Sequence, residues 1–146
     1  MTKAFLLTFI MGLATIGYSQ SEEEQAIKQL LEKESSTWRS GDIKGHASCW
    51  SIQPYSRILS STGDGTVFDI PPEVMINPPA NIFGKGGTSR NTNYKMNISG
   101  NNAWVCHDEE STAIDGKKTL TTEFRILEKI NGSWKLVAQS IHARKP

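Results

Sequence analysis

The chain has 146 residues, 37% of them hydrophobic and 21% charged, with Lys+Arg 16 against Asp+Glu 15. That length suits one domain with a modest core. The near-even charge leaves no basic surplus to neutralise a phosphate backbone, which argues against a nucleic-acid partner, and no basic tract or acidic tail marks a charged docking surface.

The chain opens as an export leader. Met1-Thr2-Lys3 gives a short positive start, and residues 4–17 form an apolar run too short to span a membrane. Gly17 and Ser19 set small residues on either side of Tyr18, so cleavage is expected after Ser19. Residues 20–146 then form the mature domain, periplasmic or secreted, with no membrane attachment once the leader is gone.

Ser21 and Glu24 match a capping box, and Ile27, Leu30, Leu31 and Trp38 share one face of the helix it would start. Ser40-Gly41 ends that helix. Asp42 can cap a second, running to about Trp50, with Ile43, Ala47 and Trp50 on its inner side; Gly45 is unfavourable inside it. Strands are expected over 55–60 and 66–70, around the turn Gly63-Asp64-Gly65. Pro71, Pro72, Pro78, Pro79, Gly84, Gly86 and Gly87 then break the pattern. One helical turn over 73–76 fits there, in a long loop of the kind that often closes over a site. Four strands follow over 94–98, 103–110, 120–129 and 134–142, separated by Gly100-Asn101-Asn102, Asp115-Gly116 and Asn131-Gly132. Helices followed by an antiparallel meander make an α+β layout, with the N-terminal helices packed in a curved sheet.

Alternation sorts the strand residues into faces. Trp104, Cys106 and Asp108 oppose Val105, His107 and Glu109; Thr121, Glu123, Arg125 and Leu127 oppose Thr122, Phe124, Ile126 and Glu128. On the last strand Trp134, Leu136, Ala138, Ser140 and His142 oppose Val137, Gln139 and Ile141. The pattern does not say which face is concave. Trp38, Trp50, Tyr55 and Trp104 could line an aromatic pocket, or simply fill the core. Asp108, if it points inward beside Trp104, would have its pKa raised by desolvation and could act as an acid or base; otherwise it is a surface carboxylate. His142 could approach the pocket mouth as its partner, or stay exposed. Arg125 could clamp an anionic group, or pair across strands with Glu123 or Asp108.

His46, Cys49, Cys106 and His107 could in principle ligate a metal. Cys106 and His107 are strand neighbours pointing apart, so no metal is expected. No G-x-S-x-G or phosphate loop is present, and Gly84-Lys85-Gly86-Gly87-Thr88-Ser89 reads as a flexible loop. No cofactor is expected. Cys49 and Cys106 could pair after export; two buried free thiols fit as well.

An opening helix ending in Trp38 and Gly41-Asp42, the aromatic Trp50 after it, Gly100-Asn101-Asn102-Ala103-Trp104, the strand Glu123-Phe124-Arg125-Ile126-Leu127, and Asn131-Gly132-Ser133-Trp134-Lys135-Leu136 together resemble the nuclear-transport-factor-2-like (NTF2-like) superfamily, including its SnoaL-like domains. The resemblance implies a cone: a bent sheet wrapping a long helix around a pocket, in a protein that often dimerises through the sheet. It spans isomerases, dehydratases, cyclases and non-catalytic binders. Its steroid-isomerase branch places a carboxylate base on the first strand, and residues 56–60 carry no acid here. The expectation is therefore an exported, homodimeric, non-catalytic binder of a small, partly apolar molecule. The alternatives are an isomerase-, dehydratase- or hydrolase-type enzyme using Asp108 with a histidine, and a structural dimerising module.

Overall fold

A computed structural model describes the backbone of residues 2–144 and the side chains of Gln20 and residues 22–144. The expected leader side chains and the cleavage point after Ser19 lie outside those described. Helix α1 (Thr2–Ser40) runs without a break through Ser21, where the sequence suggested an N-cap. It buries Ile27 and Leu31, four residues apart on one stripe. Gly41 ends it in the left-handed region, at φ 79, with its N–H on the Thr37 carbonyl at 3.1 Å.

Helix α2 (Ile43–Ala47) is capped by Asp42, whose carboxylate accepts the Gly45 N–H at 2.8 Å. A Cβ on Gly45 would lie 2.1 Å from Asp42 Oδ2 and 2.8 Å from Thr37 Cγ2, which explains a glycine inside this helix. Six strands follow: β1 (Ile58–Ser61), β2 (Val67–Ile70), β3 (Thr88–Ser99), β4 (Asn102–Thr112), β5 (Lys118–Ile130) and β6 (Ser133–Ala143). A 3-10 turn, Pro72–Met75, interrupts the long connection between β2 and β3, close to where one turn was expected. Strand β3 begins well before Tyr94, so the glycine-rich stretch runs directly into it.

The strands form one curved sheet in the order β2-β1-β6-β5-β4-β3. The β3 to β6 meander is antiparallel as expected, and Asn131-Gly132, both at positive φ, forms the tight β5–β6 turn. The sheet is not antiparallel throughout, because β1 runs parallel to β6. Residues 49–51 already pair with β6 through Leu136, which brings the chain to that edge in the same direction.

Register shifts between Thr92 and Lys95 on β3, and opposite Ile126 and Leu127 on β6, slip the alternation by one residue. On β6 the buried residues are Trp134 and Leu136, then Val137 and Gln139. The face that began with Trp134 therefore does not continue to His142. The core packs Ile27 and Leu31 of α1 against Trp50, Ile58, Val105, Leu127, Trp134 and Leu136.

Candidate functional site

The concave face of the sheet is the one carrying Val105, His107 and Glu109 on β4, Thr121, Glu123 and Arg125 on β5, and Gln139 and Ile141 on β6. The cross-strand register aligns them, with Val105 beside Arg125 beside Gln139, and His107 beside Glu123 beside Ile141. Between this face and the C-terminal turns of α1 lies a pocket of about 320 Å³. One wall is apolar: Trp38, Ile70, Val74, Met75, Ile82 and Ile141. The other is polar, formed by Glu34, Ser35, Arg39, Glu109, Thr121, Glu123, Arg125 and Gln139. A second, open groove of about 660 Å³ runs between α1 and the start of β3, but it lacks the buried ionic wall.

That wall is tied together at every carboxylate. The Arg125 guanidinium, 3% exposed, donates through Nε to Glu123 Oε2 at 3.1 Å and through its terminal nitrogens to Glu123 and Gln139. It also sits 3.6 Å from Glu34. Glu123 accepts a further hydrogen bond from Thr121 at 2.8 Å. Glu109 accepts from Ser35 at 2.6 Å, Arg39 at 2.6 Å and Ser111 at 2.7 Å. Glu34 faces His46 Nε2 at 3.0 Å, and His46 Nδ1 donates to the Met75 carbonyl at 2.7 Å.

Burial acts to raise the Glu34 carboxyl, yet Arg125 and His46 outweigh it and hold the group below its ordinary value. Burial acts to lower Arg125, and the facing Glu123 and Glu34 carboxylates raise it instead. His107 is 1% exposed, with neither ring nitrogen hydrogen-bonded; Nε2 lies 3.6 Å from Glu123. Its ring stacks on Tyr94 at 5.4 Å. Burial, with Arg125 nearby, lowers the His107 pKa and keeps the ring neutral. Burial likewise pushes the Tyr94 phenol up to about 12.

Of the residues singled out from sequence, Trp38 and Arg125 line this pocket. Trp50 is buried in the core below it. Tyr55 is 63% exposed and donates to Glu128 at 2.7 Å, away from the pocket. Trp104 and Asp108 lie on the convex face, because β4 turns its other side to α1. Asp108 accepts from Asn93 and Thr122, each at 2.8 Å, and pairs with Arg144 at 3.2 Å. Those hydrogen bonds, Asn93 first, lower its pKa, the reverse of the rise expected for an inward carboxylate. His142 is exposed, between Ser61 at 2.9 Å and Ser140 at 2.8 Å. The structure does not bring Asp108 and His142 together in the pocket.

Cys49 is buried and Cys106 half-buried on the convex face; both are free thiols. Among the described residues no group of three or more His, Cys, Asp or Glu side chains converges as a metal site.

Sequence reasoning missed Glu34, Arg39 and Glu109, and weighed His46 only as a metal ligand or a partner of Asp108. A signal was present for Glu109: it falls, like Glu123 and Arg125, on a strand face that also carries an apolar residue, Val105 or Leu127.

A helix wrapped by a bent sheet is a fold shared with known solved structures. An NTF2-like protein of unknown function from Shewanella baltica OS155 aligns at 20% identity, covering 86% of this chain and 97% of that one, with a TM-score of 0.59. One from Shewanella oneidensis MR-1 aligns at 17% identity over 82% and 98%, TM-score 0.64. A third, from Pseudomonas putida KT2440, aligns at 12% identity over 86% and 89%, TM-score 0.66. The chain has the NTF2-like fold. No family model matches the sequence, and no curated protein matches it. At these identities the likeness carries fold alone, so function on this NTF2-like scaffold rests on the pocket itself.

Proposed function

We propose that the protein binds a small, partly apolar molecule in the pocket between α1 and the concave sheet, without catalysing a reaction on it. The observation that carries this reading is the wall of carboxylates, all of them tied. A general acid or base needs a pKa moved toward neutrality and a free proton-transfer face. Glu34 moves the other way, and Glu109 and Glu123 each accept at least two hydrogen bonds. Opposite them, Trp38, Ile70, Val74 and Ile82 offer an apolar surface of the kind that holds a ligand body.

The mature protein acts in this reading after export to the periplasm or medium, as the sequence of residues 1–19 suggests, and as a homodimer. Support for the dimer comes from the convex face. Trp104 and Phe124 stack there at 5.8 Å, 41% and 40% exposed, with Ile126 and Leu120 beside them. An apolar patch of this kind on a sheet is usually covered.

The test is native mass spectrometry of protein purified gently from exported material. A dimer carrying a reproducible extra mass, lost in Trp38→Ala, is expected. A monomer of bare chain mass that takes up no small molecule from a mixed apolar library would refute the reading.

A further inference from the structure

The pocket's charges can be counted group by group. Three carboxylates face it or support it directly: Glu34, Glu109 and Glu123. Two guanidiniums answer them, Arg39 and Arg125. The remaining carboxyl, Glu34, is matched by His46. The Met75 carbonyl can only accept, so His46 Nδ1 carries a proton. Nε2 faces the Glu34 carboxyl at 3.0 Å, and that contact holds one proton between the two groups. The Glu34–His46 pair is therefore neutral as a pair, whichever of the two holds that proton. His107, buried beside Glu123 and Arg125 with no acceptor on either nitrogen, adds no charge.

The charges of the wall therefore cancel, all within surroundings mostly closed to water. A charged ligand would enter with no counter-charge left to meet it, and burying an unpaired ion is costly. One polar group remains underused. The Gln139 amide nitrogen reaches the Met75 sulfur at 3.5 Å, a weak acceptor, and Gln139 lines the pocket.

We infer that the pocket selects an uncharged amphipathic ligand, its apolar body against Trp38, Ile70, Val74 and Ile82 and an oxygen acceptor, carbonyl or hydroxyl, against the Gln139 amide. This rests on the binding function proposed above and specifies its ligand class. The geometry also makes the selection adjustable. Removing one cation leaves the wall anionic, and removing one carboxylate leaves it cationic.

The experiment compares three probes with one apolar body: 1-adamantanol, 1-adamantylammonium and 1-adamantanecarboxylate. Binding to the mature protein is followed by calorimetry at neutral pH. The alcohol is expected to bind at least roughly tenfold more tightly than either ion. In His46→Gln the ratio of ammonium to alcohol affinity rises, and in Glu123→Gln the ratio of carboxylate to alcohol affinity rises. Arg39→Gln and Glu109→Gln, at the less buried pair, make the same two charge changes should the deeper variants fail to fold. An ion that binds wild type more tightly than the alcohol overturns the inference and leaves the binding function standing. So do ratios that stay fixed across folded variants. If no probe saturates, the binding function falls and the ligand class with it.

Discussion

Replacing Arg125 by Met keeps most of the side-chain volume and removes the cation at the centre of the ionic wall. Arg125 is 3% exposed, bound to Glu123 through two nitrogens and to Gln139, and 3.6 Å from Glu34. Its loss leaves two buried carboxylates, 5% and 3% exposed as residues, without their principal counter-charge. Breaking such a pair from one side costs roughly 3–5 kcal/mol. For a domain of this size that corresponds to a Tm lower by roughly 10–25 °C. The deficit should depend on pH in a defined sense. Without the guanidinium, the buried Glu34 carboxyl loses the charge that holds its pKa down against burial, so it takes up a proton more readily as the pH falls. The gap between Arg125→Met and wild type should therefore narrow from neutral pH toward about pH 5. Combining it with Glu34→Gln and Glu123→Gln should recover much of the loss, since neutral amides need no cation. Urea unfolding of the three proteins (wild type, Arg125→Met and the triple variant) at both pH values checks this. A single-variant loss below about 1 kcal/mol, or a triple variant no better than Arg125→Met, would refute the account of the wall as a coupled ionic network.

Other consequences are simpler. The Glu34 pKa lies below its ordinary value of 4.5, so its contribution is present above that value and lost as acid protonates the folded form; Glu34→Gln should be less stable at neutral pH and flatter below about pH 4.5 in urea titrations. The His107 pKa is lowered from 6.5, so stability is present above that pH and falls as the unfolded chain takes up the proton; His107→Leu should flatten the decline below about pH 6.5. Gly45→Ala should cost about 1–2 kcal/mol, because its Cβ collides with the capping carboxylate, whereas Gly63→Ala, with nothing within 4 Å, should stay within about 0.5 kcal/mol; thermal melts compare them. Trp104→Lys, at the stacked convex pair, should convert a dimer into a folded monomer by light scattering, and a dimer that persists would place the interface elsewhere.

The sequence alone determined the order of elements, the turns and an α+β layout, because these follow from local chemistry; the NTF2-like fold came from the resemblance of its motifs. A helix stripe, an Asp cap, an Asn-Gly hairpin and alternation over long strands each depend on neighbours a few residues away. It also marked Trp38 and Arg125, both of which line the pocket. Only the tertiary structure decided which side of each strand faces α1. Alternation assigns residues to two faces but is symmetric between them, and here its usual tie-breaker misleads. Trp104 and Phe124 lie on the outer face, while Glu109, Glu123 and Arg125 go inside, because charges paired within a wall tolerate burial that lone charges do not. One register slip on β6 then separates His142 from the face of Trp134 and Leu136. The ionic wall gathers Glu34 and Arg39 from α1, His46 from α2, Glu109 from β4 and Glu123 and Arg125 from β5, partners up to 91 positions apart in the chain (125 − 34), and no spacing rule along a sequence reaches across that distance.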